Sequence, residues 1–296
     1  MPGKFAKQVL FRRETGKTRI AKHLPGGTDI GESCPLEGIF VRGEIPEPAV
    51  SGGVSAQKLI ANCNQFCDKG GQMEEIIMKP VLYAHPFSSY CQKVLTALYE
   101  NGTDFEYRML DHNDPDTLAD FETRWPIKRF PILVDGDRTI MEATVIIEYL
   151  GLYYPGPVKL IPDDPKAAID VRMIDRVFDN YISTPQQRIV FNAIRPESDR
   201  DPYGDTEARD MLERTYAWLD RHIEGRLWAC GDAFTLADCA AAPFLFYADW
   251  THAIDPAFAH VHAYRKRLLA RPSFARAVDE GRPYRTFFPL GAPDRD

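Results

Sequence analysis

The chain is 296 residues long and 44% hydrophobic, enough for one large domain or two modest ones with a real core. Thirty-six basic against 43 acidic residues give a net charge of −7, which argues against a nucleic-acid partner and against an anionic membrane surface. No apolar run is long enough to span a bilayer and no apolar h-region follows the N-terminus; with six scattered cysteines forming no dense framework, a reducing cytoplasm is the expected compartment.

Residues 1–77 are rich in Gly, Pro and Lys and short of sustained apolar periodicity, so they read as a loop or disordered extension. The basic start (Lys4, Lys7, Arg12, Arg13, Lys17, Arg19, Lys22) resembles an organelle transit segment, but Glu14 and the glycines interrupt an amphipathic helix. Cys63 and Cys67 stand without a second pair nearby, and zinc needs about four ligands, so no metal site is expected. Met73-Glu74-Glu75-Ile76-Ile77 back-translates to a purine-rich run just before the Met78 codon, like a bacterial ribosome-binding site. A compact domain is therefore expected to begin at Met78, with residues 1–77 an extension or a start placed too early.

From 78 to 154 the pattern is βαβ, then ββα. Residues 81–84 form an apolar strand, and Ser88-Ser89-Tyr90-Cys91 opens a helix with Val94, Leu95, Leu98 and Tyr99 on its apolar face. Asn101-Gly102 ends that helix, and residues 105–110 alternate as a strand. Arg129-Phe130-Pro131-Ile132-Leu133-Val134 leads into a tight turn at Asp135-Gly136 and a strand to Met141. Glu142-Ala143-Thr144 then opens a helix that buries Val145, Ile146, Tyr149 and Leu150. Residues 155–165 are a Pro-rich linker. Beyond it the chain reads all-helical to about residue 290, over 166–190 (with a break near Pro185), 206–223, 235–247, 258–270 and 273–280. Thr235-Leu236-Ala237-Asp238 has the form of a capping box.

A hydroxyl and a carboxylate thus open two helices on either side of a proline. That layout suits a small peptide with a free thiol, glutathione first among them. A free thiol has a pKa of about 8.5, so little of it is ionised at neutral pH. A helix N-terminus offers partial positive charge and unpaired N–H groups, and a hydroxyl donating to sulfur adds a charge-assisted hydrogen bond. Together these favour the thiolate, which is the nucleophile. Ser88 then holds the anion without itself attacking; read alone, Ser88 or Ser89 simply caps the helix, and the two roles are compatible.

The ordered motifs Ser88-Ser89-Tyr90-Cys91, Arg129-Phe130-Pro131, Glu142-Ala143-Thr144-Val145-Ile146-Ile147-Glu148-Tyr149-Leu150 and Phe234-Thr235-Leu236-Ala237-Asp238 resemble the cytosolic glutathione S-transferase family, and within it the bacterial members that use Ser or Cys. The resemblance runs from Met78 onward. It implies a thioredoxin-like N-terminal domain over 78–154, a linker over 155–165 and a glutathione-transferase-type helical domain over 166–290. It also implies a homodimer, glutathione as co-substrate, no metal, and a small hydrophobic electrophile.

Carried onto this sequence, the family's pattern makes Ser88 the partner of the glutathione sulfur, a role that Ser89 can share. Pro131 is the cis-proline, and Phe130 before it offers its backbone to the cysteinyl part like an added strand. Arg129 reaches the glycine carboxylate, with Lys128 as a substitute. Glu142 takes the γ-glutamyl ammonium. Ala143 stands where the family carries Ser: the helix-start N–H remains and the hydroxyl is lost, a deficit of about 0.5–1.5 kcal/mol that Thr144 can offset.

Tyr181 and Arg188, beside Phe178, are assigned to the second-substrate pocket, although their spacing also suits an ordinary packed helix. Cys91 reads as a packed helix residue, His85 as a loop residue, and Tyr83, inside a strand, as a weaker donor than Ser88. Two other functions stay open: a catalytically weak binding or structural module on the same fold, and a glutathione-linked thiol oxidoreductase or peroxidase acting through Cys91.

Overall fold

The computed structural model describes residues 9–12, 18–21 and 79–296. The chain divides into two units, Met1–Met78 and Lys79–Asp296. In the first, strands β1 (Val9–Arg12) and β2 (Thr18–Ala21) pair antiparallel, Val9 opposite Ala21. Sequence reading expected no regular structure there; Val-Leu-Phe and Thr-Arg-Ile are strand-forming runs too short to register as periodicity. The Cys63/Cys67 pair and the Met73–Met78 stretch lie outside the described residues.

The second unit opens on a four-stranded sheet of order β4-β3-β5-β6, built from β3 (Val81–Ala84), β4 (Glu106–Met109), β5 (Ile132–Asp135) and β6 (Arg138–Met141). β3 runs parallel to β4 and antiparallel to β5, and Leu82 faces Tyr107 on one side and Leu133 on the other. The β5–β6 turn puts Gly136 at φ 57, a conformation that glycine adopts without a Cβ clash and that fits a two-residue hairpin with glycine first. Strand alternation sends Leu82, Ala84 and Leu133 to one face and Tyr83, Ile132 and Val134 to the other.

The first face is covered by helices α1 (Ser89–Glu100) and α3 (Ala143–Tyr153). The second is covered by α2 (Pro115–Arg124), which buries Phe121 against Tyr83, Leu110, Ile132 and Val134. Sequence reading missed α2. Only Phe121 is fully buried, and the i, i+3, i+7 set it forms with the partly buried Leu118 and Trp125 is short and set among polar residues, although Asp114 caps Thr117 N at 3.1 Å and Pro115 sits at the first turn, both helix-start signals.

The helical part comprises α4 (Pro165–Val177), a π turn (Phe178–Ser183), α5 (Thr184–Ala193), α6 (Pro202–Ile223), α7 (Leu236–Thr251), α8 (Ala259–Leu269) and α9 (Pro272–Gly281), followed by a 3-10 turn (Arg282–Phe287). The long helix expected over 166–190 is thus interrupted. Pro185 has no N–H for the backbone ladder, and the π turn lies immediately before it. α7 is buried along its whole length, and its run Ala240-Ala241-Ala242 lets neighbouring helices approach closely. No helix among the described residues is long and apolar enough to cross a membrane.

α1 is shared by both parts. Its Gln92 Nε2 donates to Pro86 O at 2.9 Å, Tyr247 Oη at 3.2 Å and Ala277 O at 3.4 Å. At its far end Glu100 is held by Arg271 and by Ser273 Oγ at 2.7 Å. This is the arrangement the family resemblance implies: a thioredoxin-like sheet layer followed by a helical bundle.

The capping box is built as read, and carries more than a cap. The Asp238 carboxylate, without exposed surface, accepts from Thr235 N (2.9 Å), Thr235 Oγ1 (3.1 Å), Ala229 N (2.8 Å) and Tyr264 Oη (2.6 Å). Asp238→Ala leaves these buried donors without a partner, so the variant should lose about 3 kcal/mol or more of stability. A urea titration checks this: the midpoint falls with the slope unchanged, and an unmoved midpoint refutes the account.

Candidate functional site

Two helix starts and one strand entry make the site. Ser88 caps α1 with extended backbone (φ −86, ψ 127), and its Oγ accepts from Cys91 N at 3.4 Å. A capping oxygen accepts, so the hydroxyl proton stays free to be donated. The first turn of α1 carries no acid, so nothing on the helix competes with an external anion for its positive end. Ser89, the first helical residue, is half-buried beside it.

Cys91 points inward. Its Sγ accepts from His85 N at 3.4 Å, and complete burial pushes the thiol up to about 12. A thiol so placed is packing, not a nucleophile. Tyr83 is also removed from the site. Its ring lies on the α2 face of the sheet, and its phenol is bonded to Asp120 and, at 2.7 Å, to Arg108 Nη1. His85 packs edge-on against Tyr284 at 4.7 Å and accepts from Phe87 N at its Nδ1 (3.2 Å); burial holds it below the ordinary histidine value.

The Phe130–Pro131 bond is cis. Phe130 precedes β5, beyond the last paired residue of that strand, Ile132, so its N–H and C=O lie outside the ladder. Arg129 is exposed. Lys128, the suggested substitute, is committed elsewhere: its Nζ pairs with Glu122 at 2.8 Å.

Glu142 caps α3 at φ 67, ψ 118, with no bond from its side chain to the helix. Its carboxylate is exposed, and the backbone around it is strained for any residue with a Cβ. Ala143 begins the helix and is buried. Thr144 does not stand in for the missing serine. Its hydroxyl donates to Asp175 Oδ2 at 2.9 Å and accepts from Lys93 Nζ at 2.9 Å and Arg176 Nη2 at 2.5 Å.

This cluster escaped sequence reading. Lys93 has no exposed surface and pairs with Asp175 at 2.6 Å and Asp179 at 3.5 Å. Burial raises the Asp179 carboxyl above its ordinary range despite Lys93 and Arg176 nearby. A lysine inside an apolar helix run was the one available signal; its two carboxylate partners lie more than eighty residues away in sequence.

Tyr181 and Arg188 are not brought to Ser88. Arg188 turns to α6, pairing with Asp201 at 3.8 Å and Glu207 at 3.5 Å. Tyr181 is 47% exposed and lies on the opposite side of its helix from Asp179, the residue that meets α1 through Lys93. The aromatics against the 85–90 loop are others: Tyr247 meets Phe87 at 5.4 Å and Phe244 meets Tyr90 at 5.0 Å. An open groove of about 560 Å³, lined by Trp125, Met141, Val145 and Tyr149 among others, reaches Glu142 but neither Ser88 nor Pro131. Among the described residues no three His, Cys, Asp or Glu converge as metal ligands do.

Known proteins share this fold. Residues 82–158 match the glutathione S-transferase N-terminal domain and residues 192–267 its C-terminal domain. A glutathione S-transferase of Triticum aestivum is 31% identical over 224 residues, covering 69% of this chain and 95% of its own length. A stringent starvation protein A homolog of Coxiella burnetii is 27% identical over 202 residues, covering 67% and 91%. Among solved structures, a glutathione S-transferase of Methylobacillus flagellatus with glutathione bound superposes with a TM-score of 0.61 at 25% identity, over 67% of this chain and 98% of that one. The chain belongs to the glutathione S-transferase family.

Proposed function

We propose that this protein is a glutathione-dependent transferase that activates the glutathione thiolate for attack on a small hydrophobic electrophile. The observation that carries the reading is Ser88, whose hydroxyl caps an α1 first turn free of acidic residues. The helix end stabilises the sulfur anion, the Ser88 O–H donates to it, and the thiol proton leaves to solvent. Phe130 pairs its backbone with the cysteinyl unit, Arg129 meets the glycine carboxylate, and Glu142 takes the γ-glutamyl ammonium. Residues 78–154 form the glutathione-binding domain and 166–290 the helical domain. Conjugation, dehalogenation and ether cleavage all fit this scheme. The cytoplasm, where glutathione keeps thiols reduced, is its compartment.

A second reading, a module that keeps the fold with weak turnover, is favoured by Ala143 and by the likeness to a stringent starvation protein A homolog. The redox reading through Cys91 is disfavoured by that thiol's burial.

A homodimer goes with the first reading. Val145 and Leu152 on α3 and Ile169 and Met173 on α4 are all exposed. They flank the two-pronged Glu148–Arg172 pair, at 2.8 and 2.9 Å, that ties α3 to α4. Apolar side chains grouped on one face are what a second copy would cover.

Ser88→Ala should lower kcat/KM for chlorodinitrobenzene by about tenfold to a hundredfold, the worth of a charge-assisted hydrogen bond. Because the lost bond favours the thiolate, the rise of rate with pH should shift to higher pH. An unchanged rate and profile would remove Ser88 from the chemistry, whereas glutathione uptake without turnover in the parent protein would favour the module. Paired Leu152→Glu and Met173→Glu changes should convert the dimer to monomer by light scattering; a parent already monomeric rejects the dimer. Glu142→Gly should raise stability by about 1 kcal/mol by relieving the backbone, while glutathione affinity drops by about tenfold or more with the ammonium unpaired. Calorimetry and denaturation read the two effects separately, and a variant less stable than the parent contradicts the strain.

A further inference from the structure

The start of α3 lacks one group and has another that the family resemblance does not supply. Ala143 offers an N–H but no hydroxyl, and the Thr144 hydroxyl is taken by Lys93 and Asp175. Beside them stands Arg176 of α4. Its Nη2 lies 2.5 Å from Thr144 Oγ1. Its Nε and Nη2 meet Asp175 Oδ2 at 3.1 and 2.6 Å, and Nη2 also pairs with Asp179. Asp175 is itself gripped by fully buried Lys93. The guanidinium is therefore aimed by a buried frame, yet its side chain remains 47% exposed. Among the described residues its bonds run from Nε and Nη2, which leaves Nη1 with two N–H donors.

Glu142 caps the same helix start, exposed and without a helix bond of its own. Tyr90 lies within the electrostatic reach of both Glu142 and Arg176. An acid and a base thus share one helix start whose first N–H groups have no partner within the helix. A group with an ammonium and a carboxylate on one carbon is complementary to that pattern. It is neutral overall, so it leaves undisturbed a cluster in which Lys93 and Arg176 balance Asp175 and Asp179.

We propose that Arg176 is a specificity-determining residue that binds the carboxylate of an α-amino acid head group at the start of α3, in place of the hydroxyl that Ala143 lacks. The proposal rests on the glutathione reading: the head group is the γ-glutamyl end, Glu142 takes its ammonium, and Nη1 with the Ala143 N–H takes its carboxylate. Recognition of the tripeptide then draws on the helical domain as well as the thioredoxin-like one.

Calorimetry on the full chain tests it with two ligands: glutathione, and γ-aminobutyryl-cysteinyl-glycine, which lacks only that carboxylate. Arg176→Gln, which keeps a donor for Thr144, should weaken glutathione by about tenfold and leave the analogue within about twofold. Adding Ala143→Ser to Arg176→Gln should recover about threefold or more for glutathione alone. Arg176→Lys, which keeps the charge and loses the fork, should show the same ligand-dependent split at smaller size, and it serves if the Gln variant does not fold. Equal losses for both ligands would reveal a purely structural arginine and overturn the proposal, as would undiminished glutathione affinity. A parent protein that takes up no glutathione is a separate result, because it removes the site reading itself.

Discussion

A lysine with no surface in water ties the two halves of this fold together. Moving an ammonium out of water costs several kcal/mol unless charge and hydrogen bonds replace the water. Lys93 finds Asp175 at 2.6 Å, Asp179 at 3.5 Å and the Thr144 hydroxyl at 2.9 Å. The three partners come from α4, the π turn and α3, so α1 can satisfy its lysine at only one rotation and height. Because Ser88 opens α1 and Glu142 opens α3, that node also sets the spacing between the two ends of the site. Its value lies in placement more than in net stability, since a buried ion pair contributes little over an apolar isostere, while one stripped of a partner is strongly destabilising.

The helical domain also grips the loop that carries Ser88. Tyr247 of α7 donates to Phe87 O at 3.0 Å and accepts from Gln92, which itself reaches Pro86 O at 2.9 Å. At α9, a Cβ on Gly281 would stand 3.1 Å from Pro86 O, so the backbone there passes close enough that a larger side chain would press on the loop. The Ser88 corner of the sheet domain is thus shaped from behind by helices more than 150 residues downstream. A thioredoxin-like domain cut out alone would keep its strands and lose the support that orders residues 85–88.

What could be read from the sequence was what depends on neighbours along the chain. The 81–84 strand, the starts of α1 and α3 and the Thr235–Asp238 cap each rest on residues within a few positions and stand where the spacing put them, while the tight turn read at Asp135-Gly136 falls one residue later, at Gly136-Asp137. α2 is hard to see because its sheet-facing apolar set, Leu118 and Phe121 with Trp125 at the C-cap, is only one short i, i+3, i+7 run in an otherwise polar segment. Thr144 and Lys128 are hard to judge from sequence for a different reason. Both have the right chemistry at the right place, but Lys93 and Asp175 claim one and Glu122 the other, and such competition shows only in three dimensions. For Tyr181 and Arg188 the difficulty is phase: the π turn shifts the helix register past Phe178, so simple counting along the sequence does not give the faces on which they lie.

The backbone itself supports placing the ligand between Arg129 and Ala143. Among the described residues, Lys128 at φ 57 and Glu142 at φ 67 are the non-glycine positions with positive φ, and they border this segment on either side. Such conformations cost of order 1 kcal/mol or more each, and persist only where the surroundings over-determine them. Buried residues just downstream anchor both: Pro131 and Ile132 behind Lys128, and Ala143 and Ile146 behind Glu142. Glycine would relieve either strain. At Lys128 the side chain has a local use, the Glu122 pair. At Glu142 the side chain makes no bond to its helix, so the strain there holds an exposed carboxylate over a helix start and gives the fold nothing in return. A carboxylate kept in that position at a loss to stability is what the proposed pairing with the ligand's ammonium calls for.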